Sequence, residues 1–199
     1  MYLTYGGLVY KLRIFYFKKI LKYFSMNNKI KMLDYGCGPG DMIACAQNIG
    51  IDVYGIDLYE RSVRLANEKG FNVIRGDYNN MPYDKESFDL IFMQSVLEHI
   101  FDPVDSLMTL KNYLKPNGLI ILSVPTPCNH FWDDPTHIRP YTPKSLEILA
   151  ELVELKIVKI TYVFAFILGF TLKAAWIYKL MNIFPFPLGS NIIGVFEKR

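Results

Sequence analysis

The stretch that most constrains this chain runs from Asp34 to Gly40, D-Y-G-C-G-P-G, where three glycines crowd one turn. Residues 29–34 (K-I-K-M-L-D) before it read as a strand, and residues 41–49 after it read as a helix stopped by Gly50. Glycine permits a tight strand-to-helix turn and lets a ligand approach the backbone closely. The spacing is G-x-G-x-G (Gly36, Gly38, Gly40), and Asp41 stands where a dinucleotide-binding turn would carry its third glycine. An acid at the start of the helix is a poor neighbour for a pyrophosphate, which favours the bare positive end. On its own this stretch also fits an ordinary tight turn, so the rest of the chain has to decide.

Beyond Gly50 the chain alternates regularly between strand and helix patterns. Residues 52–57, 72–76, 88–94, 119–124, 156–164 and 191–197 read as further strands, seven with the first. Helical patterns cover residues 60–69, closed by Gly70, then 103–114, with Asp102 as cap and Pro103 at its first position. Another opens at Thr142 and Pro143 and runs to about Val153. The turn K-P-N-G at 115–118 leads into the fifth strand. Strand and helix in alternation argue for an α/β fold with a doubly wound, Rossmann-like sheet. Ligands in such sheets sit beyond the carboxyl ends of the strands. With 199 residues and no low-complexity linker, the chain is read as a single domain. Residues 1–28 form an N-terminal segment, 29–125 a core, and 126–199 the remaining loop, insertion and strands.

The residues just past the strands carry the chemistry. Asp57, with Leu58 beside it, ends the second strand 21 residues after Gly36. That is close to the offset at which an acid meets ribose hydroxyls, although a helix cap is the plain alternative. Asp77, followed by Tyr78, comes after the third strand and suits an adenine amino group, or a solvated turn. Asp34 could meet an ammonium group.

The run M-L-D-Y-G-C-G-P-G, then G-I-D, G-D, M-P-Y-D-K-E-S-F-D-L-I-F-M-Q-S-V-L-E-H-I-F-D-P and L-K-P-N-G resembles a class I S-adenosylmethionine-dependent methyltransferase. The closest type is the broad group that includes ubiquinone- and menaquinone-biosynthesis enzymes. The resemblance is strong over residues 29–125 and specific for cofactor and fold, not for acceptor. It implies S-adenosyl-L-methionine as cofactor and a sheet that is mostly parallel with a reversed last strand at 191–197. It implies that the turn Gly36, Cys37, Gly38 and Gly40 wraps the methionine portion with Asp34 near its ammonium. Asp57 would take the ribose, Asp77 the adenine with Tyr78 beside it, and Gln94 and Ser95 the methionine end. Cys37 reads from its own surroundings as a small filler.

Methyl transfer from a sulfonium mainly needs proximity and orientation, and a base only for an acceptor such as a hydroxyl. The chain has three histidines. His99 falls in V-L-E-H-I-F-D-P, at the mouth of the site by resemblance, and is a second catalytic candidate that could touch substrate, with a structural or cofactor-side role as the alternative. His130 is ambiguous. His137 lies in the polar run F-W-D-D-P-T-H-I-R-P-Y-T-P after the fifth strand, a loop of the kind that carries functional residues. That run is similar to one in bacterial methyltransferases of envelope glycans. His137 is the leading base or substrate ligand, with Asp134, Arg139 and Tyr141 as substrate contacts; a loop staple of His137 and Arg139 on Asp133 or Asp134 is the alternative. No metal site is expected, because these residues lack the spacing of a helical metal site.

Net charge is +3 and cysteines number three, without a C-x-x-C pair. Nucleic acid, a disulfide scaffold and structural zinc are disfavoured, and a cytoplasmic, reducing location fits. The longest uncharged apolar stretch, 161–172, falls short of the roughly 20 residues that span a bilayer. Residues 8–24 carry Lys11, Arg13, Lys18, Lys19 and Lys22 with no acid. They read as the usual N-terminal helix of such folds, or as a basic amphipathic helix on a membrane surface. Residues 165–188 read as an apolar insertion. The expected function is methyl transfer to a small-molecule, glycan or lipid-linked acceptor, O-methylation first. C- or N-methylation of a quinone-like or lipid-like acceptor is the alternative, and a cofactor-binding partner subunit without turnover is another. A nicotinamide dehydrogenase is the weakest of the readings, and oligomeric state stays open.

Overall fold

Strand propensity and burial on both faces organise the chain into a seven-stranded sheet of order β3-β2-β1-β4-β5-β7-β6. The structure is a computed structural model that describes residues 30–127, 131–162 and 191–199. The strands are β1 (Lys31–Tyr35), β2 (Asp52–Asp57), β3 (Val73–Arg75), β4 (Phe88–Gln94), β5 (Leu114–Pro125), β6 (Leu155–Tyr162) and β7 (Asn191–Lys198). The pairs β1–β2, β1–β4, β2–β3 and β4–β5 are parallel, while β7 runs antiparallel to both β5 and β6. The sheet is therefore mostly parallel with one reversed strand, the last.

Side chains alternate across this sheet, as the two-residue period of a strand requires. Leu33, Ile91, Ile120 and Leu122 pack on one face with Leu107 and Leu110 of α3 (Pro103–Lys111) and Leu146 and Leu149 of α4 (Pro143–Leu152). Met32, Leu90, Phe92 and Ile121 pack on the other, with Met42, Ile43 and Ala46 of α1 (Asp41–Gln47) and Ala66 of α2 (Glu60–Glu68). Helices on both faces explain why the strands read as nearly unbroken apolar runs.

Local chemistry sets the helix ends. The Asp102 carboxylate accepts from the backbone N–H groups of Val104 and Asp105 at 3.1 and 3.0 Å, with Pro103 at the first position. Thr142 and Ser145 form a reciprocal capping box at the start of α4.

The turn expected at 115–118 sits inside a strand. Phe88 pairs with Leu114 and Leu90 with Leu119, so β5 bulges out between them and resumes against β4. Asn117 takes the bulge through a left-handed φ of 62°. At Gly118 a Cβ would lie 2.9 Å from the Lys115 carbonyl oxygen, which is why a glycine closes the bulge.

No helix among the described residues is long and apolar enough to cross a membrane. The expected N-terminal helix, the insertion at 165–188, Cys128 and His130 lie outside the described residues.

Candidate active site

The glycine turn and the end of β2 are built as one unit. The N–H groups of Gly36 and Cys37 both donate to the Ile56 carbonyl, at 2.8 and 3.1 Å. The Gly38 N–H donates to Asp57 Oδ2 at 2.8 Å, and the Tyr59 N–H donates to Asp57 Oδ1 at 2.8 Å. Asp57 thus pins the turn with one lone pair on each oxygen. A carboxylate has about four lone-pair sites, so it keeps capacity for two further donors such as ribose hydroxyls. Gly36 has φ 73°, and a Cβ there would lie 2.3 Å from Val96 Cγ2. The first glycine is required by its conformation and by the close approach of the segment after β4. Gly40 is similar: φ is 85° and a Cβ would enter the Phe71 ring at 2.4 Å.

These strand ends border a cavity of ≈ 530 Å³, whose lining includes Gly36, Asp57, Leu58, Asp77, Tyr78 and Ser95. A volume of that order suits a nucleoside-sized ligand. Ser95 reaches the cavity in a left-handed conformation, φ 53°, with its N–H on the Ser123 carbonyl at 2.8 Å. Strain of this kind gathers at functional positions. Asp77 is steadied by the Asn79 N–H on its Oδ1 at 2.9 Å. The Tyr78 N–H donates to the Tyr35 hydroxyl at 3.1 Å. Burial pushes the Tyr35 phenol well above its ordinary range, so it stays protonated. Tyr35, Tyr59 and Phe101 also line the cavity, and sequence reasoning missed them. Tyr59 comes so soon after Asp57 that position alone could have flagged it.

Several expected residues stand away from this wall. Asp34 is buried within β1, beside Gly55 and Phe92 on the neighbouring strands. Cys37 is buried against the position where a Gly55 Cβ would lie, and burial pushes its thiol upward, so it is a filler and not a cavity residue. Gly38 and Gly40 shape the turn without lining the cavity, and Gln94 pairs with Ser123 in the sheet.

The far end of the cavity is the 3₁₀ turn Leu97–His99 and the loop after β5. His99, Asp134 and Thr136 line it. The Thr136 hydroxyl donates to Asp134 Oδ1 at 2.6 Å and the Thr136 N–H to the same oxygen at 2.9 Å. Those bonds hold the Asp134 carboxyl below the usual range. His99 Nδ1 faces Thr136 Oγ1 at 3.0 Å and the Thr136 carbonyl at 3.2 Å. A proton on Nδ1 satisfies both, which leaves the lone pair on Nε2.

The sequence makes His137 the leading base, and the geometry places it elsewhere. Its Nδ1 lies 2.6 Å from the Phe131 carbonyl and its ring sits, tilted, between Phe131, at 4.4 Å, and His99, at 4.8 Å. It stands behind His99 and does not line the cavity. Arg139 is likewise drawn off, donating to the Phe101 carbonyl at 2.6 Å. Tyr141 is buried, its hydroxyl directed at the Leu97 carbonyl at 3.4 Å and its phenol pushed up to about 12 by burial. It is a core residue. Of the polar loop only Asp134 and the unexpected Thr136 reach the cavity.

Glu98 carries no signal in the sequence, yet its side chain is buried beside both histidines. Burial raises its carboxyl above the ordinary range, and the two imidazoles draw it partly back.

Residues 33–122 match a family model described as a methyltransferase domain. A ubiquinone biosynthesis O-methyltransferase of Roseobacter denitrificans is 31% identical over 103 residues, 47% of this chain and 40% of that protein. A demethylmenaquinone methyltransferase of Staphylococcus aureus is 29% identical over 112 residues, 52% and 46% respectively. The chain thus spans less than half the length of these curated relatives. In fold it is similar to a SAM dependent methyltransferase from Archaeoglobus fulgidus, with a TM-score of 0.71 at 20% identity over 95% of this chain and 94% of that one. The donor set fits the cofactor that family and fold imply, S-adenosyl-L-methionine: an acid with spare lone pairs at β2, an acid after β3 and a glycine at the cavity wall. Residues 33–122 therefore resemble the methyltransferase domain that the family model describes, on a fold shared with S-adenosylmethionine-dependent methyltransferases.

Proposed function

We propose that this chain transfers a methyl group from S-adenosyl-L-methionine to an oxygen of a small acceptor that has an apolar body. The observation that carries the reading is one cavity with two chemically distinct ends. Asp57 and Asp77 stand at one end, and His99 with Asp134 and Thr136 at the other.

The cofactor supplies an activated methyl group. Asp57 binds and orients through its two unused lone-pair sites, and Asp77 does so beside Tyr78. The acceptor enters against Phe101, which is 82% exposed on the His99 side. An exposed ring of that size beside an imidazole suits a partly aromatic or quinone-like compound better than a glycan. The relatives named for ubiquinone and menaquinone biosynthesis point the same way. An acceptor hydroxyl must lose its proton, and His99 is the group on the cavity wall through which that happens. Thr136 and Asp134 hold its ring so that Nε2 is the basic nitrogen. The three cysteines and the absence of a C-x-x-C pair support a reducing, cytoplasmic setting.

The test is a labelled-methyl assay against hydroxylated quinones, phenols and glycans. Methylation of a quinone or phenol is the expected result. His99→Ala lowers turnover by about 10² or more, the usual size of an acid–base contribution, and leaves S-adenosylhomocysteine affinity unchanged. Methylation of glycans alone would contradict the acceptor class, and full turnover by His99→Ala would contradict its role.

A further inference from the structure

Glu98, His99 and His137 form a cluster that neither the fold nor the cofactor site accounts for. Glu98 and His99 come from the 3₁₀ turn after β4, and His137 from the loop after β5. The two segments are stitched by the Ile138 N–H on the Glu98 carbonyl at 2.8 Å. One ligand-capable atom of each side chain lies within 4.8 Å of the other two. Glu98 is 1% exposed, and neither of its carboxylate oxygens has a hydrogen-bond partner on another residue. A buried carboxylate left this way is costly and calls for a compensating charge or donor.

The histidines are prepared in a particular manner. His137 Nδ1 is 2.6 Å from the Phe131 carbonyl, and His99 Nδ1 is 3.2 Å from the Thr136 carbonyl. An N–H held on a backbone carbonyl fixes the tautomer and the ring orientation, as partners of metal-bound imidazoles do. In the neutral rings the lone pair is therefore on Nε2. Asp134 Oδ2 lies 4.0 Å from His137 Nε2 and borders the same space.

We propose that Glu98, His99 and His137 bind a divalent first-row cation of the zinc type. Two imidazoles and one carboxylate are a nitrogen-rich set that suits zinc, cobalt or a similar ion and not magnesium or calcium, which favour all-oxygen shells. Bonds of about 2.0–2.2 Å need the three atoms to close to roughly 3.5 Å of each other, a movement within reach of side-chain rotation. The cation supplies the charge that Glu98 lacks. Three protein ligands leave a coordination position open, and His99 brings that position to the cavity wall. With the cation bound, His99 Nε2 is its ligand and no longer a base, so an acceptor oxygen on the cation would release its proton to solvent instead. That task rests on the methyl-transfer reading, whereas the binding does not.

The experiment is titration of the full, metal-stripped chain with Co²⁺, followed by visible absorption and competed with Zn²⁺. One Co²⁺ per chain, with a ligand-field band that Zn²⁺ abolishes, is expected. Glu98→Gln and His137→Ala each weaken the affinity by at least about tenfold, while calorimetry with S-adenosylhomocysteine shows that both variants keep the fold. Absence of stoichiometric uptake by the parent chain overturns the proposal, as does unchanged affinity in both variants. A chain that takes up Co²⁺ but methylates nothing keeps the metal site and loses the methyl-transfer reading.

Discussion

Single residues explain why the glycine turn tolerates so little. Gly36 combines φ 73° with a Cβ position 2.3 Å from Val96, whereas Gly38 has φ 54° and no heavy atom within 4 Å of its Cβ position. Alanine at Gly38 should cost about 1–2 kcal/mol, the strain of a left-handed backbone. Alanine at Gly36 should cost that and a further overpacking penalty of about 1–3 kcal/mol. Urea unfolding of the two variants checks the order, and equal losses would contradict the packing argument. Tyr83 sets a pH dependence. Its ring meets Tyr54 and Phe88 edge to face, at 5.9 and 5.1 Å, and burial pushes its phenol up to about 12. An unfolded chain releases that proton near pH 10. The folded chain holds it more tightly, so the contribution is complete below about pH 10 and is lost as pH rises toward 12. Urea midpoints should fall over that window, and fall less in Tyr83→Phe; parallel curves would show that Tyr83 is not the cause.

Elements show what a linear chain reveals and what it hides. Asp102 and Pro103 mark the start of α3 in the sequence because capping is local, and the structure has the carboxylate on two backbone N–H groups. Asp102→Ala should destabilise by about 1 kcal/mol, measured as a lower urea midpoint with an unchanged slope; no change would mean that solvent caps the helix equally well. Apolar runs and glycine stops locate the strands of the parallel half for the same reason. The K-P-N-G turn is legible as a turn, but not as a bulge inside β5, since that depends on pairing with Phe88 and Leu90 across the sheet. The site divides along the same line. Asp57 and Asp77 are readable because they come after strands at fixed offsets. Which of His99 and His137 lines the cavity is not, because it depends on a ring contact with Phe131 and a bond to its carbonyl. Glu98 gives no signal in the chain, its partners being 1 and 39 residues away in number.

At the scale of the whole molecule, a site forms because a parallel sheet delivers its chain segments to one edge. The ends of β1 and β2 bring the turn and Asp57, and the end of β3 brings Asp77. The end of β4 brings Ser95 and His99, and the loop after β5 closes the far side with Asp134 and Thr136. Two helical layers keep that edge free while burying both faces of the strands. A mild net charge of +3 accords with a zwitterionic nucleoside as the ligand and not a polyanion. The central claim is that this edge holds S-adenosylmethionine through Asp57, and calorimetry with S-adenosylhomocysteine tests it most directly. The account predicts one site per chain in the parent protein and at least about tenfold weaker binding, the loss of one charge-assisted hydrogen bond, in a folded Asp57→Ala variant. A folded parent chain that binds no S-adenosylhomocysteine would contradict it.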